Sequence, residues 1–519
     1  MKRLVIAAVA AVCLLSYSTP AAAQSFPTND PVIKAIWAEG MENSQFYSIA
    51  QVLLDSIGPR LTGSPQLRGA NDWAVAMFQR WGVTARNEQY GTWRGWRRGI
   101  SHVDMISPWV RSLEATMLAW SPGTRGKVEG PAVVIPEFTS AAEFAQWLPN
   151  ARDKFVLVSF LEPTCRPDDN WEEYATEESF EAMRTARNEA RQAWNQMIRG
   201  VGGNDSLYNK LEGAGARGIL TSSWPGGWGV QRVFGTTTER VPTFGVNCED
   251  YGLVYRLAKH NQGPVLRVEA EAEFLGEVPM FNTIAEIRGS EKPDEYVLLS
   301  AHFDSWDGGQ GAVDNATGSV TMMETIRILK QVYPNPKRTI MVGLWGAEEQ
   351  GLIGSRAFSE DHPEVVANLQ ALFNQDNGTG RVVRISMQGL TGAAEHFGRW
   401  IAQIPNEITR HIDLQIPGTP GGGGSDYASF ICHGAPSFSL SSNSWGYSPY
   451  TWHTQRDTFD KIVWDEVKNN ATLTAMLVYL ASEDPEMVAR DRIENMVNPR
   501  TGAPMEWPTC RPARRSYEP

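Results

Sequence analysis

Two segments decide the fold: VLLSAHFDSWDGGQGAVDNATGSVTMMETIRIL, Val297–Leu329, and RTIMVGLWGAEEQGLIGS, Arg338–Ser355. The runs Tyr296–Ser300 and Thr339–Trp345 have the length and apolar content of strands buried on both faces. Between them Gly318–Val332 carries helical spacing, and a Pro-interrupted turn follows it. The unit therefore reads strand–helix–strand, a parallel crossover. Polar residues gather where each apolar run ends: His302 and Asp304 after the first, Glu348 and Glu349 after the second. Asp314 stands in the loop that opens the helix. In open α/β sheets, sites form at the carboxyl ends of strands, so chemistry is expected here.

A third buried run, Leu369–Asn374, ends in Gln375-Asp376-Asn377-Gly378, and a late loop, Tyr450–Thr458, supplies His453. Imidazole nitrogen with carboxylate oxygen is a ligand set suited to Zn²⁺, and also to Mn²⁺ or Co²⁺. His302, Asp314, Glu349, Asp376 and His453, with Glu348 beside them, exceed what one tetrahedral zinc takes. They suffice for two metals if one carboxylate bridges. Asp304, two residues past His302, is placed to orient that imidazole. Any one of these residues alone would be read as a solvated loop group; the group together is not. The other six histidines lack such flanking and default to surface or packing roles.

The rest of the chain frames this core. Lys2 and Arg3 precede an apolar run, Leu4–Leu15, and Ala21-Ala22-Ala23 stands before Gln24 in the manner of a signal-peptidase site. The run is short for a membrane span and no later segment reads as one, so export to a secreted or periplasmic location is expected. At 519 residues, two or more domains are expected. The net charge is −12, and two units more negative without Lys2 and Arg3, which argues against nucleic-acid and anionic-membrane partners. Beyond Cys13, four cysteines remain, Cys165, Cys248, Cys432 and Cys510, with no zinc-finger spacing. A disulfide is allowed in an oxidising compartment.

Phe46–Ile57 and Leu67–Trp81 read as amphipathic helices around the turn-rich Gly58–Pro65, with a strand from Val83. Arg60 in that turn can neutralise a substrate carboxylate or tie the loop to a neighbouring one. From Gly126 to Glu277 short β-like runs appear, at Ala132–Ile135, Phe155–Phe160, Gly218–Thr221, Val241–Val246 and Val265–Ala270. One charged helix is expected over Glu172–Ile198. After Pro279, Phe281–Ile287 and Tyr296–Ser300 read as adjacent strands. Four glycines, Gly421–Gly424, lead into Ser425-Asp426-Tyr427, and a helix is expected over Asp465–Ala481.

The motifs AHFDS, GAVDNATG, GAEEQGLIGS, NQDNGTG and WHTQRDT, in this order across Val297–Lys461, resemble the co-catalytic zinc exopeptidases, which include secreted bacterial aminopeptidases and plasma glutamate carboxypeptidase. The middle block, on its short strands and GARGIL, resembles a protease-associated domain inserted in that family. The resemblance implies a mixed, mostly parallel sheet sandwiched by helices, with a β-rich insert. With the signal peptide read over 1–23, the chain divides into a catalytic domain split into 24–125 and 278–490, an insert over 126–277 and a tail over 491–519. The resemblance further implies two zinc ions bridged by Asp314. His302 and Asp376 would complete one ion, Glu349 and His453 the other, with Glu348 as general base and Asp304 as the orienting carboxylate. Many family aminopeptidases carry Tyr where this chain has Trp452, so Tyr427, Tyr447 and Tyr450 become the candidates for stabilising an oxyanion.

The activity implied is hydrolysis of peptide bonds near one end of short peptides; amino- against carboxyl-terminal preference stays open, as does homodimer formation. Three other readings are weighed. A cyclising aminoacyltransferase needs one zinc, against the full five-ligand set. A receptor-like ectodomain would have lost ligands, and none is lost. An amidohydrolase of N-acylated amino acids or related amides uses the same chemistry.

Overall fold

The computed structural model describes residues 25–498 and 501–517. The signal-peptide reading at 1–23 lies outside them. Apolar content on both faces makes Val297–His302 and Ile340–Trp345 the centre of the sheet, where every residue is buried. The crossover between them is helical over Thr317–Val332, buried from Thr317 to Leu329 between the sheet and the long helix Trp464–Glu483. A helix so enclosed carries its charge only in pairs. Buried Glu324 takes Arg327 at 2.7 Å and also accepts from Ser44 and the Gln45 amide.

In space the strands run Asp413–Gln415, Val382–Ser386, Ser437–Ser442, Leu369–Asn374, Lys292–His302, Arg338–Trp345, Val265–Ile287. The four from Ser437–Ser442 to Arg338–Trp345 are mutually parallel, and Val265–Ile287 joins antiparallel to Arg338–Trp345. The sheet is thus mixed, mostly parallel at its centre, with helices on its faces. Phe281–Ile287 and Tyr296–Ser300 are not neighbours, contrary to the sequence reading: Arg338–Trp345 lies between them. The connection passes close under the start of that strand, where Ser290 N donates to Pro336 O at 2.7 Å. A Cβ on Gly289 would sit 2.7 Å from Lys337 O, so only glycine allows the crossing.

Thr84–Ser107 pairs antiparallel with Val265–Ile287 along nearly its whole length. This long ribbon leaves the central sheet and enters a second one, Val128–Val134, Phe155–Leu157, Gly218–Thr221 and Thr243–Val246, with Ala115–Met117 at its edge. The two units are therefore joined by shared strands, and Val265–Ile287 passes through residue 277 without a break. The β-rich character read from the short runs holds only for that small sheet. Its strands are mostly parallel, and parallel strands need helical crossovers. Glu177–Gly200, Gly203–Ala214 and Cys248–Lys259 supply more helix than there is strand. The charged helix expected over Glu172–Ile198 is two, Asp168–Tyr174 and Glu177–Gly200. Thr176 separates them because its hydroxyl caps the second, accepting from Ser179 N at 3.3 Å.

Disulfides join Cys165 to Cys248 and Cys432 to Cys510. The second ties the tail to the catalytic sheet's flank, where Arg515 meets Glu360 and Asp361 and Trp507 donates to Ile431 O. Cys510→Ser is expected to cost about 2–5 kcal/mol, the usual worth of a native disulfide. The expected result is a lower Tm together with faster tryptic cleavage between 505 and 517. An unchanged Tm would show that the tail's ion pairs hold it without the bond.

Candidate metal centre

All seven residues singled out above meet at the carboxyl edge of the central sheet. Lys292–His302 delivers His302 on its last residue, Arg338–Trp345 is followed by Glu348 and Glu349, and Leu369–Asn374 by Asp376. His302 Nε2 lies 3.1 Å from Asp376 Oδ1 and 3.3 Å from Asp314 Oδ1. His453 Nε2 lies 2.9 Å from Glu349 Oε2 and 3.3 Å from Asp314 Oδ2. The two oxygens of one carboxylate thus face two different histidines. His302, Asp314 and Asp376 form one group, and Asp314, Glu349 and His453 another, each with its ligand atoms within 4.8 Å of one another.

The fit to a metal shows in what these groups leave unbonded. Asp314 Oδ2, Glu349 Oε1 and His453 Nδ1 are buried without a hydrogen bond. Buried polar atoms are rarely left so, and a carboxylate crowd without cations is unfavourable. Burial, reinforced by Asp376, Asp426 and Glu349, pushes the Glu348 carboxyl well above the usual range. Burial alone would lower the His302 imidazole, but Asp376 and Glu348 outweigh it and hold its pKa well above the ordinary value.

Backbone and polar contacts set the geometry from below. Asp304 is fully buried; Oδ1 accepts from Glu348 N at 3.0 Å, and Oδ2 from Glu349 N at 3.3 Å and Thr62 Oγ1 at 3.2 Å. It meets the His302 imidazole through its backbone, with Nδ1 3.0 Å from Asp304 O and 3.7 Å from Oδ1. The carboxylate read as an imidazole partner therefore mainly fixes the turn that carries the two glutamates. Across the strands, Trp345 Nε1 donates to Ser300 Oγ, Ser300 Oγ to Asn374 Oδ1, and Asn374 Nδ2 to Ser425 Oγ. This ladder locks three strand ends to the glycine-rich loop.

Arg60 is fully buried and spends its side chain on backbone carbonyls: Phe303 at 2.8 Å, Gly311 at 2.8 Å, Gln310 at 2.9 Å and Gly58 at 3.1 Å. It holds the Asp314 loop and binds neither a substrate carboxylate nor a neighbouring one. Asp457 has a part that sequence reasoning missed. Its Oδ1 accepts from Val313 N at 2.7 Å and its Oδ2 from Asp314 N at 2.9 Å, which joins the Asp314 loop to the His453 loop. Burial pushes its carboxyl up to about 8. An Asp four residues after the late His was the signal available. Asp426, fully buried and within electrostatic reach of Glu348, is pushed up to about 7 by burial.

Of the tyrosines, Tyr447 lies within electrostatic reach of Asp314, Asp376, Glu349 and Asp457; burial first and these carboxylates second push its phenol well above the ordinary value. It stays a proton donor. Tyr427 lies within electrostatic reach of Asp376, whereas Tyr450 packs on Gly227 and has Asp169 within such reach. Trp452 stacks on the His453 ring at 4.0 Å. The middle block reaches the centre too: Val233 N donates to His453 O at 2.7 Å, and Gln455 exchanges bonds with Gln231 N and Gly229 O.

Residues 282–478 match the model of peptidase family M28. That segment carries every residue of the centre described above. The chain is a zinc-dependent metallopeptidase, and zinc suits both ligand groups of this centre. Human carboxypeptidase Q is 26% identical over 455 residues, covering 87% of this chain and 88% of that protein. A probable glutamate carboxypeptidase of Arabidopsis thaliana is 32% identical over 200 residues, 34% of this chain and 28% of that protein. The crystal structure of a peptidase M28 precursor from Shewanella amazonensis superposes with a TM-score of 0.65 at 25% identity, covering 88% of this chain and 97% of that one. A zinc aminopeptidase from Bacillus subtilis shares the fold at a TM-score of 0.55 and 17% identity, covering 86% of this chain and 96% of that one.

Asp457→Ala is expected to lower metal affinity by about 10–100-fold, the usual effect of losing a group that orients a ligand. Zinc titration against a competing chelator measures it. Unchanged affinity would mean that the Asp314 loop is held by Arg60 alone.

Proposed function

We propose that the chain is a secreted exopeptidase that hydrolyses short peptides at a two-zinc centre. The observation that carries this reading is the split of the Asp314 carboxylate between His302 and His453, each with a further carboxylate beside it. In this reading His302 and Asp376 would hold one ion, Glu349 and His453 the other, and Asp314 would be shared between them. Zinc, when bound, supplies Lewis acidity to the scissile carbonyl and lowers the pKa of water. Glu348 takes the proton of the attacking water on its carboxylate and returns it to the leaving amine. Asp304 keeps Glu348 and Glu349 pointing to different tasks by holding both of their amides. Tyr447, within electrostatic reach of Asp314, Asp376 and Glu349, is the phenol we assign as donor to the developing oxyanion.

We assign the block 126–277 as an insert that narrows access to the centre. Its Trp224–Gly229 loop packs on the turn that precedes His453, with Gly227 against the Tyr450 ring. Short peptides are therefore the expected substrates, and internal cleavage of intact casein would contradict this assignment.

Metal analysis of the mature enzyme should give two zinc ions per chain, and chelation should abolish an activity that zinc restores. One ion in a fully active enzyme would refute the two-metal reading. Glu348→Gln should retain both ions and lower kcat by about 10²–10⁴, the worth of a positioned general base. Glu349→Gln should lose metal, with activity partly regained in excess zinc. Free dipeptides are the expected substrates in a panel that also holds N-acylated amino acids. Cleavage of the acylated compounds alone would instead make the enzyme an amidohydrolase.

A further inference from the structure

A cavity of the middle block, about 570 Å³, opens between the Glu177–Gly200 helix and the Arg232–Gly235 segment. We infer that it is the subsite for a substrate carboxylate, held by the guanidinium groups of Arg191 and Arg232. The inference rests on the peptidase reading above and adds the charge of the substrate that it selects.

Both arginines line the cavity. Among the described residues neither makes a side-chain hydrogen bond or an ion pair, and Arg232 Nε is buried without a partner. Burial lowers the pKa of Arg232, and Arg191 nearby lowers it further. Arg191 has Glu162 within electrostatic reach but not paired with it, so the two like charges are under-neutralised and gain from an arriving anion. The acidic groups in the cavity wall do not fill that role. Glu162 is taken by Arg187, 3.2 Å away, and Asp205 is exposed at the rim. Ser222 Oγ, also in the wall, is buried without a hydrogen bond and is free to donate to the same ligand.

The cavity shares its wall with the metal centre. Phe234 lines it and stands edge-on to the His453 ring at 5.4 Å. The Arg232 guanidinium lies 4.4 Å from the centroid of the Trp452 ring, which stacks on His453. An extended residue spans roughly 3.5 Å, so a group one or two residues from the scissile bond reaches Arg232. Arginine forks match carboxylates, because their paired donors meet both oxygens at once. A carboxylate here comes either from the C-terminus of a short peptide or from an acidic side chain.

The test uses the zinc-loaded mature enzyme and three peptides: alanyl-alanine, its C-terminal amide, and alanyl-glutamate blocked as its α-amide. Arg191→Gln, remote from the metal ligands, is expected to raise KM for a carboxylate substrate by about 10–100-fold, as for a lost charge-assisted hydrogen bond. Its kcat and the constants for the neutral amide should stay within about two-fold, and Arg191→Lys should regain part of the loss. Arg232→Gln should do the same, with metal content measured alongside because Arg232 touches Trp452. An effect on alanyl-alanine alone assigns the C-terminal carboxylate; an effect on the blocked glutamate alone assigns the side chain. Equal KM changes for the acid and the amide, or none in Arg191→Gln, overturn the inference. If the wild type cleaves none of the three, the peptidase reading fails, and calorimetric titration with N-acetylglycine still decides the subsite. Binding that is lost in Arg191→Gln supports it, and binding equal in both proteins refutes it.

Discussion

The crowding of carboxylates around Asp314 is the constraint on which the rest of the structure depends. Asp304, Asp314, Glu348, Glu349, Asp376, Asp426 and Asp457 converge at one edge of a sheet, and several are fully buried. Like charges brought so close in low dielectric repel strongly, and only cations or oriented donors can hold them. The fold answers in two ways. Asp304 and Asp457 are neutralised locally by backbone amides, which frees the others from structural duty. Asp314, Glu349 and Asp376 are left facing histidines, a donor set that zinc completes. The same separation makes Glu348 and Glu349 unequal although they are neighbours in sequence.

Rigidity under the centre follows from this constraint. Strand ends alone would leave His302, Asp376 and the glutamates free to drift apart. The chain from Trp345 through Ser300 and Asn374 to Ser425 prevents it, because each member donates to the next across a strand boundary. Arg60 does the same for the loop that carries Asp314, with four carbonyls in place of carboxylates. A cation buried on backbone oxygens is fully engaged and unavailable to substrate.

Much of this was legible in the sequence, for a physical reason. Strands buried on both faces are apolar throughout, so polar residues at their ends stand out, and His302, Glu348, Glu349 and Asp376 are such residues. Asp314 was legible because it opens the helix between two such strands. Other features depend on partners distant in the chain. The order of strands places Arg338–Trp345 between segments that follow one another in sequence, and only the close passage at Gly289 explains it. The function of Asp457 lies in two amides more than a hundred residues away, and an amide leaves no mark in a sequence. Arg60 was misjudged because a buried arginine and a substrate-binding one look alike until its acceptors are known. The helix break at Thr176 was hidden because charged residues continue through it.

The bonds between Val233 and His453, and between Gln455 and both Gln231 and Gly229, make the middle block part of the centre's own wall. Such a block is not an accessory that evolution or engineering can exchange freely. A graft from a relative with different specificity would carry its own version of 229–234 and meet this chain's 453–455 with the wrong partners. The two segments have to be transplanted together, as the halves of one seam. Genetic variation in one should accordingly be tolerated only alongside change in the other.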